Sequence, residues 1–137
     1  MSARPAAVAV ISAFAWAATA LSALVAVMLL APSPKFAWIW NLNPPAHAAF
    51  SAHARVAGVL LLALAVVSAG TARGLLRGRR WAWFVSLATF AANGLGDVVS
   101  FFITHDWLRS ASGVLIATVF LFLLFRPSVR AWFAPPG

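Results

Sequence analysis

Four long apolar runs dominate this sequence, and only short connections separate them. The runs cover residues 6–31, 46–72, 81–103 and 109–125. At a rise of about 1.5 Å per residue, runs of this length can cross the ~30 Å hydrocarbon core of a bilayer. Because a backbone in hydrocarbon finds no water, its N–H and C=O groups have to bond within a helix. The sequence therefore predicts an all-α integral membrane protein, an antiparallel up-down-up-down four-helix bundle that forms one transmembrane domain over residues 1–137.

The first apolar run resembles a secretory signal peptide only in its position behind Arg4. The apolar core of a signal peptide has about 7–15 residues and ends at a small-residue cleavage site. This run is longer, at roughly 25 residues, which is the length of a membrane span. We therefore expect a retained first helix.

The composition agrees with a membrane protein. Hydrophobic residues make up 64% of the chain and charged residues 9%, whereas soluble domains are about half apolar and a quarter charged. The net charge of +8 would suggest nucleic-acid binding in a soluble protein. Here the basic residues lie at the ends of the apolar runs, which is the pattern that orients membrane proteins. We therefore expect membrane lipids as partners, no nucleic acid, and a location in the bacterial inner (cytoplasmic) membrane.

The distribution of positive charge predicts the orientation of the spans. One set of basic residues would lie on the first side of the membrane: Arg4, Arg73, Arg77, Arg79, Arg80, Arg126 and Arg130. The other side would hold only Lys35, Arg55 and Arg109. The positive-inside rule then predicts that both termini are cytoplasmic.

This orientation assigns a side to each connection. Residues 32–45 form an outer loop, in which Asn43 is predicted to cap a helix that begins with a proline. Residues 73–80 form a cytoplasmic turn, and residues 126–137 form a C-terminal interfacial tail. The basic residues of the turn are expected to contact lipid headgroups: Arg73, Arg77, Arg79 and Arg80.

A narrow polar stripe marks the third run. Its members fall within an arc of about 80° on a helix: Ser86, Thr89, Asn93, Asp97, Ser100 and Thr104. A carboxylate inside a membrane span costs about 2.5–3.5 kcal/mol on insertion scales and usually faces protein or a wet cavity. We therefore expect this stripe to face protein, with an intramembrane polar site made of Asp97, Asn93, Ser100 and Arg55.

Three roles are open for that site. Arg55 lies about two turns inside the second run, at a depth similar to that of Asp97, so the two residues can form a structural ion pair. A protonated Asp97 bonded to Asn93 and Ser100 would also be structural. Alternatively, Asp97 couples transport or relays protons, or it contributes to a ligand site.

Three histidines form a second group of candidates. His47, His53 and His105 are possible ligand residues at the outer face. His47 and His53 are six residues apart, so they point to different sides of a helix and do not make the i, i+4 pair of a metal site. We predict no metal and no cofactor.

The sequence does not contain the usual catalytic motifs. It has no Gly-x-Ser-x-Gly, no His-Glu-x-x-His and no cysteine, and it has only two acidic residues. We therefore predict no catalytic residues and a protein that is not an enzyme.

The favoured function is a non-catalytic accessory or scaffolding subunit of a larger membrane complex, with other membrane protein chains or copies of itself as partners. One alternative is a homo-oligomeric transporter or channel protomer with Asp97 as its coupling carboxylate. A third is an outer-face binder of a lipid, quinone or pigment.

Overall fold

The computed structural model describes residues 3–134 and is all-α, with 87% of its residues in helices. The helices are α1 (Ala6–Leu30), a 3-10 helix (Pro34–Leu42), α2 (Pro44–Ser51), α3 (Ala54–Leu76), α4 (Arg80–Thr104), α5 (Trp107–Phe125) and α6 (Pro127–Trp132). Four of them are long and apolar enough to cross a membrane: α1, α3, α4 and α5. The predicted number of membrane-length apolar helices is thus confirmed, although the second begins at Ala54 rather than at residue 46.

The chain divides into two compact units, which we describe separately. The α4–α5 unit comprises residues 1–13 and 70–137, and the loop unit comprises residues 14–69. The α4–α5 unit therefore contains α4, α5 and α6 together with the first part of α1 and the last turns of α3.

In the loop unit, the structure has two helices where the sequence predicted one over residues 46–72. α2 ends at Ser51, and α3 begins at Ala54 after two turn residues. The Ser51 hydroxyl donates to the carbonyl of His47 at 2.6 Å, and the His53 N–H donates to the carbonyl of Phe50 at 3.2 Å. Such side-chain and short-range bonds compete with the regular α-helical ladder. Arg55 consequently lies in the first turn of α3 rather than two turns inside a longer helix.

The connection before α2 follows the predicted capping pattern. Asn43 is the N-cap residue of α2, and its side-chain oxygen accepts a hydrogen bond from the Ala46 N–H at 3.2 Å. Pro44 occupies the first helical position, where its missing N–H removes no hydrogen bond.

In the α4–α5 unit, the arginine turn, predicted over residues 73–80, is shorter than expected. α3 continues to Leu76, so Arg73 belongs to its last turn. The helix continues because Ala72 and Leu75 are fully buried in the core. Gly78 lies two residues beyond its end, and its φ of 65° closes a Schellman motif in which the Arg79 N–H donates to the Gly74 carbonyl at 2.8 Å.

The core of the same unit lies at the end of the molecule that contains this turn. Its buried members come from five helices and from the residue that follows α6: Val8, Ile11, Leu75, Ala82, Phe90, Leu124, Val129 and Phe133. The predicted interfacial tail thus contributes two core residues, Val129 in α6 and Phe133 just after it, while residues 135–137 lie outside the described part of the chain. The Trp132 indole also donates to the Leu75 carbonyl at 3.0 Å. The burial of Val129 and Phe133, together with the Trp132 hydrogen bond, anchors this tail to the core.

α4 and α5 pack along their length. The rings of Phe90 and Phe120 stack with centroids 4.6 Å apart. Gly94 lies against Ala117, and Asp97 lies against Gly113. As the residue number rises along α4 in these contacts, it falls along α5. Small residues where the two helices meet let their backbones approach.

Candidate functional site

Asp97 occupies a place on α4 that only a glycine on α5 makes available. Its carboxylate lies directly over Gly113, and all three atoms of the carboxyl group would overlap with a Cβ atom at that position. Asp97 is half-buried as a result. The sequence predicted that this residue faces protein; in the structure its carboxylate contacts α5 on one side.

The carboxylate of Asp97 has no polar partner among the described residues. It makes no side-chain hydrogen bond and no ion pair within residues 3–134. Hydrogen bonds from a protonated Asp97 to Asn93 and Ser100, one of the alternatives above, are not present among the described residues. Unpaired polar groups inside a membrane are costly, so this carboxylate has bonding capacity left for a proton, a ligand or another chain.

Ser110 is a second polar residue at this site, which the sequence analysis did not select. It is only 3% exposed, and its hydroxyl oxygen is buried without a hydrogen-bond partner in the part of the chain that the structure describes. The sequence offers Asp106 or Ser110 as the cap of α5, and Asp106 takes this role by accepting a hydrogen bond from the Arg109 N–H at 3.2 Å. The sequence feature that could have identified Ser110 is its spacing. It precedes Gly113 by three residues and so shares the same face of α5.

Asp97 and Ser110 line the same cleft between α4 and α5, with a volume of about 260 Å³. The remaining walls are apolar: Val98, Phe101, Phe102, Trp107, Ala111 and Val114. The surface that this cleft presents is apolar, and the Ser110 hydroxyl is buried behind it. The cleft therefore suits an apolar group.

The rest of the polar stripe on α4 divides into buried and open positions. Ser86 is buried and Ser100 is half-buried, whereas Thr89, Asn93 and Thr104 are exposed. Both threonine hydroxyls donate to carbonyls of their own helix at 2.8 Å. Asn93 has no such bond to any described residue. Its carboxamide is therefore an open polar group near the middle of a span.

Arg55, the predicted charged partner of Asp97, belongs to the loop unit and is exposed. Asp97 belongs to the α4–α5 unit. The Arg55–Asp97 pair therefore stays a prediction.

The histidines occupy three different local structures. The ring of His47 stacks on Trp40 with centroids 4.7 Å apart. His53 lies in the turn between α2 and α3, and His105 ends α4 in a left-handed conformation with a φ of 54°. Within residues 3–134, no three His, Asp or Glu side chains come close enough together to hold a metal ion.

The loop unit contains a cleft of its own beside His47. Its volume is about 380 Å³, and its walls include Met28, Phe36, Trp40 and His47. An aromatic cleft next to a stacked histidine suits a flat apolar ligand.

Asp97, Ser110 and Asn93 thus define one candidate polar site on α4 and α5, and the cleft beside His47 defines another. Neither arrangement has the nucleophile-and-base geometry of a hydrolytic site. Comparison of the chain with protein-family models, with curated proteins and with solved structures found no match.

Proposed function

We propose that this protein is a non-catalytic subunit of a larger membrane complex and that α4 packs against a neighbouring chain there. The observation that carries this proposal is Asn93, a polar side chain that is exposed near the middle of a span and has no hydrogen bond to any described residue. Lipid offers it no partner, since hydrocarbon neither donates nor accepts hydrogen bonds.

The coverage of the spans supports the same conclusion. The best apolar window of α4 has a mean hydropathy of 1.4, compared with 2.0–2.1 for α1, α3 and α5. Yet only 6% of that window is buried, compared with 17–28% for the other three spans. In a protein that works alone in lipid, the least apolar span should be the best covered. The reverse arrangement supports a partner that covers α4.

The chemistry of the site favours a different chain over a second copy. A symmetric contact through this face would bring two Asp97 carboxylates together, and like charges at short range are unfavourable unless one takes up a proton. A neighbouring helix that donates hydrogen bonds to Asp97 and Asn93 avoids this cost. Interhelical hydrogen bonds of this kind are worth about 0.6–2 kcal/mol each.

The proposal includes an orientation in the membrane. We infer an antiparallel up-down-up-down bundle in the bacterial inner membrane with both termini cytoplasmic. Its support is the excess of basic residues on the side that holds residues 73–80 and 126–130.

A crosslinking experiment tests the partner proposal. The chain has no native cysteine, so a single cysteine at position 93 can carry a photoreactive crosslinker in native membranes. We expect Asn93→Cys to yield an adduct with a different membrane protein.

Leu95→Cys is the matched control, because Leu95 is 67% exposed at nearly the same depth but about 200° around the helix. Equal adducts from both positions would indicate random collisions. An adduct only between copies of this chain would replace the partner with a homo-oligomer, and no adduct at position 93 would contradict the proposal.

The transporter alternative is favoured by the unpaired Asp97 carboxylate at the α4–α5 cleft. If this carboxylate couples transport, Asp97→Asn should abolish substrate or proton flux in liposomes while the melting temperature stays nearly unchanged. If Asp97 instead binds a neighbouring subunit, Asp97→Asn should weaken co-purification of that subunit. Liposomes with the wild-type protein or with Asp97→Asn should then show no flux.

A further inference from the structure

A third cleft lies at the opposite end of α4 from Asp97, and its walls combine two arginines with apolar side chains. Its volume is about 500 Å³. Arg80 comes from the first turn of α4, and Arg130 comes from α6. The apolar walls are Trp83, Pro127, Ala131, Phe133 and Ala134.

The elements that carry the two arginines are fixed to the core. The Trp83 indole donates to the Leu124 carbonyl at 3.0 Å, which holds its ring beside the cleft. α6 is anchored because Val129 within it and Phe133 at its C-terminal end are buried. Arg80 lies over the ring of Phe84, with its guanidinium carbon 5.7 Å from the ring centre. The cleft is therefore built from supported elements rather than from a loose tail.

Among residues 3–134, the positive charge at this end has no acidic side chain as a partner. Asp97 and Asp106 are the only two acidic residues in 137. Asp97 is 17 residues from Arg80 along one continuous helix, which corresponds to about 25 Å. Asp106 lies beyond the far end of that helix. Both arginines are exposed, so their guanidinium groups are available to an anion from outside the chain.

The position of the cleft limits what that anion can be. Arg80 begins one span, and α6 follows the end of another directly, so the cleft lies where two spans meet the membrane boundary. Guanidinium groups bind phosphate oxygens through paired N–H donors. The adjoining apolar walls suit an acyl chain. A soluble phosphate would use the arginines but leave these walls uncovered.

We propose that this cleft binds an anionic glycerophospholipid. Arg80 and Arg130 contact its phosphate, and the upper part of an acyl chain lies along Trp83 and Phe133. This site is separate from the face of α4 that contains Asn93, so it does not depend on the proposed partner.

Native mass spectrometry of the full-length protein in a neutral detergent tests the proposal. Phosphatidylglycerol and phosphatidylcholine are added at equal concentrations, and the bound lipids are counted. We expect the wild-type protein to bind phosphatidylglycerol about tenfold better or more, because a basic residue near an anionic headgroup contributes measurably to binding. The double variant Arg80→Gln/Arg130→Gln should lose this preference.

The matched control is Arg4→Gln/Arg126→Gln, which removes the same charge from exposed residues that are predicted on the same side of the membrane but do not line the cleft. This control should keep the preference for phosphatidylglycerol. Equal loss in both double variants would show diffuse attraction to the arginine-rich end and would overturn the proposal. Circular dichroism and the elution volume confirm that the variants are folded.

A second arm separates a lipid from a free anion. Inorganic phosphate and glycerol 3-phosphate are added without lipid, and the melting temperature is followed. We expect neither to raise the melting temperature as phosphatidylglycerol does, and neither to displace it. Equal stabilisation by inorganic phosphate would mean that the cleft is a phosphate site without an acyl chain, which would also overturn the proposal.

Discussion

Gly113 is the residue that admits the Asp97 carboxylate to the face of α5. A Cβ atom at this position would overlap with the carboxyl group of Asp97. We expect Gly113→Ala to lower the stability of the detergent-purified protein by about 1–3 kcal/mol, as overpacking does in protein cores. The loss should outweigh the gain of about 1 kcal/mol that alanine usually brings to a helix. Thermal melting measures the effect.

Two further variants make the Gly113 prediction specific. Gly96 has no heavy atom within 4 Å of a Cβ built on it, so Gly96→Ala should leave the melting temperature unchanged or raise it slightly. Asp97→Ala removes the atoms that collide, so the double variant Asp97→Ala/Gly113→Ala should recover most of the stability lost in Gly113→Ala. A double variant as unstable as Gly113→Ala alone would show that the carboxylate does not occupy this place.

The last turns of α3 approach α4 through another glycine. A Cβ atom on Gly74 would come within 2.7 Å of the Ala82 Cβ and 2.9 Å of the Trp81 ring. Ala82 is fully buried and cannot move aside. We therefore expect Gly74→Ala to separate the two helices and to destabilise the protein by about 1–3 kcal/mol, as measured by thermal melting.

Gly70 provides the comparison one turn earlier on the same helix. A Cβ atom there would meet only the Trp81 ring, at an ordinary distance of 3.8 Å. Gly70→Ala should therefore be neutral or stabilising. If both alanine variants melted at the same temperature, close packing at Gly74 would be refuted.

The anchoring of α6 depends on one indole. Trp132 donates from its ring N–H to the Leu75 carbonyl at 3.0 Å, and this carbonyl lies in the last turn of α3. Trp132→Phe keeps most of the apolar ring but removes the donor, so we expect a loss of about 1 kcal/mol. Hydrogen exchange in α6 should become faster in the same variant.

Trp107→Phe is the control for this substitution, because Trp107 is 69% exposed and lies at the far end of α5. It should change neither the melting temperature nor the exchange of α6. A similar loss in both variants would mean that the indole bond does not hold the tail.

The proposed orientation of the whole protein is open to a labelling test, since every cysteine has to be introduced. Arg77 and Lys35 are both exposed and flank spans on predicted opposite sides. In intact cells, a membrane-impermeant maleimide should react with Lys35→Cys and spare Arg77→Cys until the membrane is opened. Arg77 is chosen over Gly78 in the same turn because the left-handed conformation of Gly78 disfavours a side chain. The reverse pattern would invert the topology.

Much of the architecture is determined by the sequence alone. Apolar runs of membrane-spanning length have to form helices, because hydrocarbon satisfies no backbone group, and the four spans follow from this requirement. The cap at Asn43 is equally local, since it needs only an oxygen acceptor placed before a proline. The polar stripe on α4 follows from helical periodicity, which also marked Asp97 as a residue in need of a partner.

Tertiary structure decided what surrounds those residues. No local pattern specifies how α4 and α5 pack. This packing places Asp97 against Gly113, buries the Ser110 hydroxyl without a hydrogen-bond partner among the described residues, and leaves Asn93 exposed. The return of Val129 and Phe133 to the core likewise depends on a distant carbonyl at Leu75 that accepts the Trp132 bond. Local periodicity fixes the direction of a side chain around its own helix, whereas its neighbours come from segments far away in the chain, and packing alone selects them.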